Sequence, residues 1–309
     1  MEQITFGGWP NCLRIEHGGV EAIVTTDIGP RIVRFGPVDG PNLLKEIPEE
    51  QGARGGSEWR LYGGHRLWHA PEAKPRTYAP DNDPVPFEAD GDGLRLAPAV
   101  EASTGIQKEL TLRFDPADGA LRIRHRLINR GPWPIETACW ALTVMAAGGR
   151  AILPQEPFRS HAEALLPARP MALWHYTDMS DPRWTWGRRF VQLRQDPERA
   201  APQKLGLLNR RGWAAYTVHG HTLLKRYACV AGADYPDFGC NTEVFTNEIM
   251  LELETLGPRV RLAADGGATE HEERWSLLPF EPSGTEDAIA AQLEPHLAGG
   301  KQECGSATA

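Results

Sequence analysis

Most of the chain alternates apolar and polar residues with a period of two. The alternating runs are bounded by Gly, Pro, Asp and Asn, and they include VEAIVTTDIG, RIVRFG, KELTLRFD, ALRIRHRLIN, HTLLKRYACV and EIMLELETLG. Such alternation predicts β-strands with one buried face. The segments EHGGVE, DPADGAL and VHGHT predict hairpin turns between some of these strands. The pattern therefore predicts an all-β fold of two large antiparallel sheets packed face to face.

Only SGTEDAIAAQLEPHLA, near the end of the chain, has a helical pattern. Ser283 and Glu286 are placed to form a capping box, and an apolar stripe follows at Ile289, Leu293 and Leu297. We therefore predict one short C-terminal helix.

The length of 309 residues suits one large all-β domain or two ordinary ones. An irregular, Pro-rich stretch over residues 155–200 is a possible break, but we predict long loops there, over one end of a single sandwich. The predicted organisation is one β-sandwich domain over residues 1–298, followed by a flexible tail over residues 299–309.

Composition excludes several classes of protein. Apolar residues make up 41% and charged residues 24%, the balance of a soluble globular protein, and the net charge of -8 argues against binding nucleic acid. No signal peptide and no apolar run long enough to span a membrane is present, and five scattered cysteines without CxxC spacing support neither a zinc site nor a disulfide framework. We expect a cytoplasmic protein that binds neither membrane nor nucleic acid, and we assign no metal ligands.

The strand pattern from Glu248 to Leu256 carries two carboxylates on one face. Leu251 and Leu253 point to one side, and Glu252 and Glu254 to the other, about 7 Å apart. One interpretation is a solvated outer face. The other places at least one glutamate in a concave pocket as a general base.

The segment RLYGGHRLWHAPE places His65 and His69 four residues apart, with Glu72 three residues later. A helix would bring these side chains together as metal ligands, but flanking glycines and prolines argue against a helix. On a strand the two histidines share a face and lie about 13 Å apart, too far for one metal ion. We predict a strand, with the Gly-Gly pair leaving room for a ligand. In the run ALRIRHRLIN, His125 falls on the apolar side, so we predict a core histidine.

With these stretches in view, the chain resembles the galactose mutarotase-like (aldose 1-epimerase) superfamily. Four segments carry the resemblance, in the family's order across most of residues 15–280: VEAIVTTDIGPRIVRFG, YGGHRLWHAPE, LRIRHRLINRGPWPIETACWALTVM and MLELETLGPRVRLAADGGATEHEERWSL. The resemblance implies a supersandwich with a sugar-binding concave sheet. It also implies a mechanism without cofactor, in which a glutamate takes the anomeric hydroxyl proton and a histidine protonates the ring oxygen.

Carried over by residue, the resemblance assigns the catalytic glutamate to Glu254, with Glu252 as the alternative register, and a histidine to His65 or His69. The family's second histidine is missing, because TACWALT occupies its strand and Trp140 stands near its place. The arginine that precedes Gly-Gly in sugar-phosphate relatives is also missing. Candidate substrate-binding residues are Arg66, Trp68, Glu72, Trp140, Glu243 and Glu252.

Three functions remain open from the sequence. The first is an aldose 1-epimerase-type isomerase. The second is a non-catalytic carbohydrate-binding protein on the same scaffold, which the missing histidine favours. The third is another carbohydrate-active enzyme, a lyase or hydrolase, with Glu72 or Glu243 as a second carboxylate. In each case we expect a small carbohydrate as the partner, no cofactor, and a monomer or homodimer.

Overall fold

A computed structural model of the protein describes residues 1–297. The strands in this part of the chain are, in order, β1 (Glu2–Phe6), β2 (Trp9–His17), β3 (Val20–Thr25), β4 (Arg31–Pro37), β5 (His65–Ala70), β6 (Phe87–Asp90), β7 (Gly93–Leu96), β8 (Ile106–Phe114), β9 (Leu121–Asn129), β10 (Ile135–Met145), β11 (Arg150–Pro154), β12 (Met171–Leu173), β13 (Trp184–Trp186), β14 (Phe190–Arg194), β15 (Gln203–Leu207), β16 (Trp213–Val218), β17 (His221–Tyr227), β18 (Thr242–Thr246), β19 (Leu251–Leu256), β20 (Val260–Leu262) and β21 (Ala268–Leu278). The helical segments are α1 (Pro236–Gly239), a single turn in which Asp237 and Phe238 have left-handed backbone angles, and α2 (Glu286–Leu293); 3₁₀ turns span Arg76–Tyr78 and Glu294–His296.

The strands form two large antiparallel sheets. One sheet has eleven strands in the order β1-β2-β3-β4-β5-β10-β19-β18-β15-β12, with β20 paired to β10. The other has ten strands in the order β13-β14-β11-β16-β17-β21-β9-β8-β7-β6. The predicted all-β fold of two large sheets with a short C-terminal helix is confirmed.

The predicted hairpins link neighbouring strands. β2 pairs with β3 across Gly18 and Gly19, and β16 pairs with β17 across His219 and Gly220. His219 adopts the left-handed region with a φ of 57°, as this tight turn requires. β8 and β9 are joined in the same way by the predicted turn that starts at Asp115.

The main core lies between the two sheets. Each sheet contributes the apolar positions of one face, and examples are Phe35, Leu67, Leu110, Leu253 and Trp275. The other face of the eleven-stranded sheet carries a separate apolar cluster that includes Trp68, Trp140 and Leu256. Alternate residues of β5, β10 and β19 therefore pack into two different apolar clusters, one on each face of the sheet.

The C-terminal helix begins later than predicted. Its N-cap is Thr285, whose side chain accepts a hydrogen bond from the backbone of Ala288. The predicted capping box of Ser283 and Glu286 is wrong, because the Glu286 carboxylate accepts the backbone N–H groups of residues 188, 189 and 190. The apolar stripe is confirmed, with Ile289 and Leu293 buried. The predicted tail over residues 299–309 lies outside the described residues. No helix in the described range is long and apolar enough to cross a membrane.

Candidate active site

Five neighbouring strands, β5, β10, β19, β18 and β15, bring the chemically capable side chains to one face of the larger sheet. Register places Trp68 opposite Trp140, and Glu254 opposite Glu243. Arg66 lies two residues before Trp68 and so shares its face. We call this face, turned away from the ten-stranded sheet, the site face.

A pair of buried carboxyl groups lies at the centre of the site face. Glu254 and Glu243 both have no exposed surface. The ammonium group of Lys204 lies between them, with Nζ 3.2 Å from Glu254 Oε2 and 2.8 Å from Glu243 Oε2. Trp140 Nε1 also donates to Glu254 Oε2, at 2.8 Å. Among the described residues, Oε1 of each carboxyl group has no hydrogen-bond partner.

The charges of this pair determine the state of Lys204. Burial lowers the pKa of Lys204, but the two carboxyl groups outweigh burial and hold that pKa well above its ordinary value. The contacts with the carboxyl pair therefore favour the charged form of Lys204 at the floor of the site.

Aromatic rings surround the carboxyl pair. One side is an aromatic wall, in which ring centroids of neighbours lie 5.0 to 6.0 Å apart; it consists of Trp59, Trp68, Tyr78 and Trp140. On the other side, Lys204 Nζ lies 4.7 Å from the ring centroid of Trp174. Indole and phenol rings with polar groups beside them suit the apolar faces and hydroxyl groups of a sugar ring.

Arg66 and Glu252 form the next layer of the site. Arg66 Nη2 lies 3.2 Å from Glu252 Oε1, and the guanidinium group lies 4.6 Å from the ring centroid of Trp68. Burial raises the pKa of Glu252 to about 7, although Arg66 opposes the shift. The predicted alternative of a solvated face for Glu252 and Glu254 is wrong, since both side chains are buried.

Glu72 lies at the exposed edge of the site and accepts a hydrogen bond from the Tyr78 hydroxyl. Tyr176 is partly exposed. Burial, together with the charges of the carboxyl pair, raises its pKa to about 12. The predicted substrate-binding residues Arg66, Trp68, Trp140 and Glu243 are thus brought together around Glu254, with Glu72 at the edge.

The structure does not bring His65 or His69 to Glu254. The strand prediction for these residues is confirmed, and alternation along β5 turns both histidines away from Trp68, toward the ten-stranded sheet. His65 bonds to Thr143 and to His125 of β9. His69 lies 3.5 Å from the Glu101 carboxylate. The assignment of either histidine as an acid facing Glu254 therefore fails on geometry.

His65 belongs to a buried polar network between the sheets. His125, predicted to be a core histidine, is fully buried and bonds to the backbone of His271 and to His65. Lys225 pairs with Glu273, Nζ to Oε1 3.0 Å, and also contacts Thr143. These bonds tie the strands under the site face to the second sheet.

Within the described residues, the ligand atoms of His65, His125 and Glu273 lie within 4.8 Å of one another, close enough for one metal ion. Each atom already has a partner, because the two Nε2 atoms share a hydrogen bond of 2.7 Å and Glu273 pairs with Lys225. The donor set fits a hydrogen-bonded core better than a metal site.

The Gly-Gly pair before β5 serves the fold. Gly63 and Gly64 have φ angles of 79° and 70°, and a Cβ at either position would overlap the carbonyl oxygen of Lys45 or Ile32. The space beside these glycines is filled by the chain's own backbone, so the prediction that they leave room for a ligand is wrong.

A separate cavity of about 500 Å³ lies on the other side of β5. Its lining includes Leu67, Asp81, Glu101 and Lys108 and none of the carboxyl pair. Some polar groups of this cavity pair with each other, since Lys108 contacts Glu101.

Sequence reasoning missed Lys204, Trp174 and Trp59. Lys204 is a lone charge inside the short apolar strand β15, and an ionisable residue in a buried strand is a signal for a site. Trp59 and Trp174 lie outside strands, and no periodicity in the sequence indicates where they pack.

No protein-family profile and no curated protein matches the sequence. Solved structures do match. A galactose mutarotase-like protein from Lactobacillus casei ATCC 334 is 13% identical, with a TM-score of 0.54 over 86% of this chain and 100% of the other. A galactose mutarotase-like protein from Clostridium acetobutylicum is 10% identical, with a TM-score of 0.54 over 89% and 97%. A galactose mutarotase related enzyme from Lactobacillus acidophilus is 7% identical, with a TM-score of 0.50 over 89% and 99%.

Similarity at this level of identity establishes the fold. The chain has the galactose mutarotase-like fold, as the sequence resemblance predicted.

Proposed function

We propose that the protein binds an aldose on the site face and interconverts its anomers, with Glu254 as the general base. The observation that carries the proposal is the placement of Glu254. Trp140 and Lys204 both contact its Oε2, and its Oε1 has no partner among the described residues, beside the aromatic wall. A buried carboxylate held by two donors with one oxygen free suits proton abstraction from a bound hydroxyl group.

The charges of the site favour an uncharged sugar. The two buried cations of this face are each paired with carboxylates: Arg66 with Glu252, and Lys204 with the carboxyl pair. Neither buried cation is left over for a phosphate group, which binds best to unpaired arginine or lysine. We therefore propose a neutral aldose as the substrate.

A sugar can reach the carboxyl pair only if the side chains that cover it move. Glu254 and Glu243 have no exposed surface, and Trp174 packs over the cation that joins them. Displacement of Trp174 and the aromatic wall is the route that we propose for the ligand.

A second candidate is a sugar-binding protein without catalysis. The observation that favours it is the position of His65 and His69 on the opposite face, which leaves Glu254 without the histidine partner that the resemblance implies.

A measurement of anomer exchange distinguishes the two candidate functions. NMR of freshly dissolved α-anomers of neutral aldoses is expected to show faster interconversion with the protein. Glu254→Gln is expected to lower kcat by about 10²-fold or more while the sugar still binds. Glu88→Gln is the matched control, because Glu88 is exposed on the second sheet, and it is expected to retain the rate. Tight binding of an aldose without any acceleration of anomer exchange would contradict the enzyme and favour the sugar-binding protein without catalysis.

A further inference from the structure

The centre of the site face holds more carboxyl groups than cations. Glu252, Glu254 and Glu243 lie on adjacent strands, and the cations that contact them are Arg66 and Lys204. All five side chains are buried. An uncompensated buried carboxylate is costly, and the usual relief is protonation. One carboxyl group of the three therefore holds a proton when the site is empty.

The contacts indicate which group that is. Glu254 accepts from the indole of Trp140 and contacts Lys204, so two donors stabilise its anion. Glu252 has the guanidinium group of Arg66. Glu243 shares Lys204 with Glu254 and faces that carboxylate across the strands. Burial raises the pKa of Glu243 well above its ordinary value; Lys204 opposes the shift and Glu254 reinforces it.

We infer that Glu243 carries this proton and donates it to the ring oxygen of the bound sugar, as the acid partner of Glu254. The inference rests on the proposed anomer exchange at the same site. Glu243 would then act as the acid that protonates the ring oxygen, a role for which neither His65 nor His69 is in position. Because both carboxyl groups contact the same ammonium nitrogen, they lie side by side, and the anomeric and ring oxygens of an aldose are bonded to the same carbon.

The proton transfers balance. Glu254 takes the proton of the anomeric hydroxyl while the bond between C1 and the ring oxygen breaks and Glu243 gives its proton to that oxygen. The product is the open-chain aldehyde, with Glu254 now protonated and Glu243 ionised. After rotation about C1–C2, the hydroxyl group attacks the other face of the aldehyde. Glu243 recovers its proton and Glu254 returns its own, which restores both groups.

Kinetics of Glu243→Gln test this role. Gln keeps the size and polarity of the side chain but holds no transferable proton, so kcat is expected to fall about 10²- to 10⁴-fold with KM within a few-fold of wild type. Glu243→Asp retains a carboxyl group and is expected to recover part of the loss. The alkaline limb of the wild-type pH–rate profile is expected to be absent from the residual rate of Glu243→Gln.

A histidine acid is the competing assignment. His175 is exposed and lies between Trp174 and Tyr176, so His175→Gln is the comparison variant. It is expected to keep the wild-type rate. A rate near wild type in Glu243→Gln, or a loss confined to His175→Gln, overturns the inference.

Infrared spectroscopy tests the proton without relying on activity. Wild-type protein at about pH 8, where Glu252 with its pKa of about 7 is mostly ionised, is expected to show the carbonyl stretch of a protonated carboxyl group that disappears in Glu243→Gln and shifts in Glu243→Asp. Persistence of that band in both variants, or its loss only in Glu254→Gln, overturns the inference. If the wild type exchanges no aldose, the proposed function fails. If it exchanges aldoses and Glu243→Gln is equally fast, only the role of Glu243 fails.

Discussion

At the residue scale, two different donors hold one oxygen of the Glu254 carboxyl group. Trp140 supplies a neutral indole N–H and Lys204 supplies a full charge, both toward Oε2. The remaining oxygen, Oε1, has no hydrogen-bond partner among the described residues. A buried carboxylate with one oxygen committed and one available has a defined direction for proton transfer.

Replacing Trp140 by Phe tests the indole donor. Phe keeps an aromatic ring in the wall but removes the N–H to Glu254, and a hydrogen bond to a charged group contributes about 1.5–3 kcal/mol. We expect kcat/KM for anomer exchange to fall about 10- to 100-fold. Trp68→Phe is the control, because Trp68 contributes a ring to the same wall. Equal losses in both variants would show that ring packing, and not the donor, matters.

Glu252 makes stability depend on pH. Its folded-state pKa of about 7 lies above the ordinary value, because burial outweighs Arg66. Between about pH 4.5 and 7 the folded state therefore binds more protons than the unfolded state, and stability falls as pH rises. Above pH 7 both states are ionised and this contribution is constant.

Glu252→Gln removes this titration. We expect the free energy of unfolding of the wild type to fall relative to the variant by about 3 kcal/mol from pH 4.5 to 7.5. Urea titrations of both proteins at each pH measure the difference. A difference that stays flat, or that grows in the other direction, contradicts the account of Glu252.

At the element scale, β5 shows what alternation predicts. Its pattern correctly indicated a strand with His65 and His69 on one face and Arg66 and Trp68 on the other. The same holds for Glu252 and Glu254 on β19. Alternation determines which residues share a face, because side chains of a strand point to opposite sides in turn.

Alternation does not determine which face is covered. The partners of β5 and β19 come from distant parts of the chain: His65 bonds to His125, and Glu254 pairs with Lys204. These contacts depend on sheet packing and on the strand order, in which β18 and β15 lie next to β19. The sequence therefore located Glu254 and Glu243 as candidates but not the lysine that joins them.

The entry to β5 gives a prediction about Gly64. Its φ of 70° and the carbonyl oxygen of Ile32 exclude a Cβ, whereas Gly18 has a φ of 57° with open space around it. Strain alone costs about 1–3 kcal/mol at a positive φ. We expect Gly64→Ala to lower the free energy of unfolding by clearly more than Gly18→Ala, as measured by urea denaturation. Equal costs would mean that the backbone contact does not constrain β5.

At the scale of the whole molecule, charge bears on substrate choice. The chain carries a net charge of -8, and the buried cations of the site face, Arg66 and Lys204, are paired with carboxylates. A phosphorylated sugar meets repulsion at long range and no unpaired buried cation beside the carboxyl pair.

We therefore expect a phosphorylated aldose to bind at least about tenfold more weakly than the matching neutral aldose, a difference of about 1.4 kcal/mol. Added salt is expected to narrow the gap, since it screens the long-range part. Isothermal titration with both sugars at two salt concentrations measures this. Tighter binding of the phosphorylated sugar would contradict the neutral substrate class.

The central claim is that Glu254 on the site face catalyses anomer exchange, and magnetisation-transfer NMR of a neutral aldose at anomeric equilibrium tests it most directly. The account predicts faster exchange between the α and β signals with wild type, and exchange at the protein-free rate with Glu254→Gln although the sugar still binds. Undiminished acceleration by Glu254→Gln would contradict it.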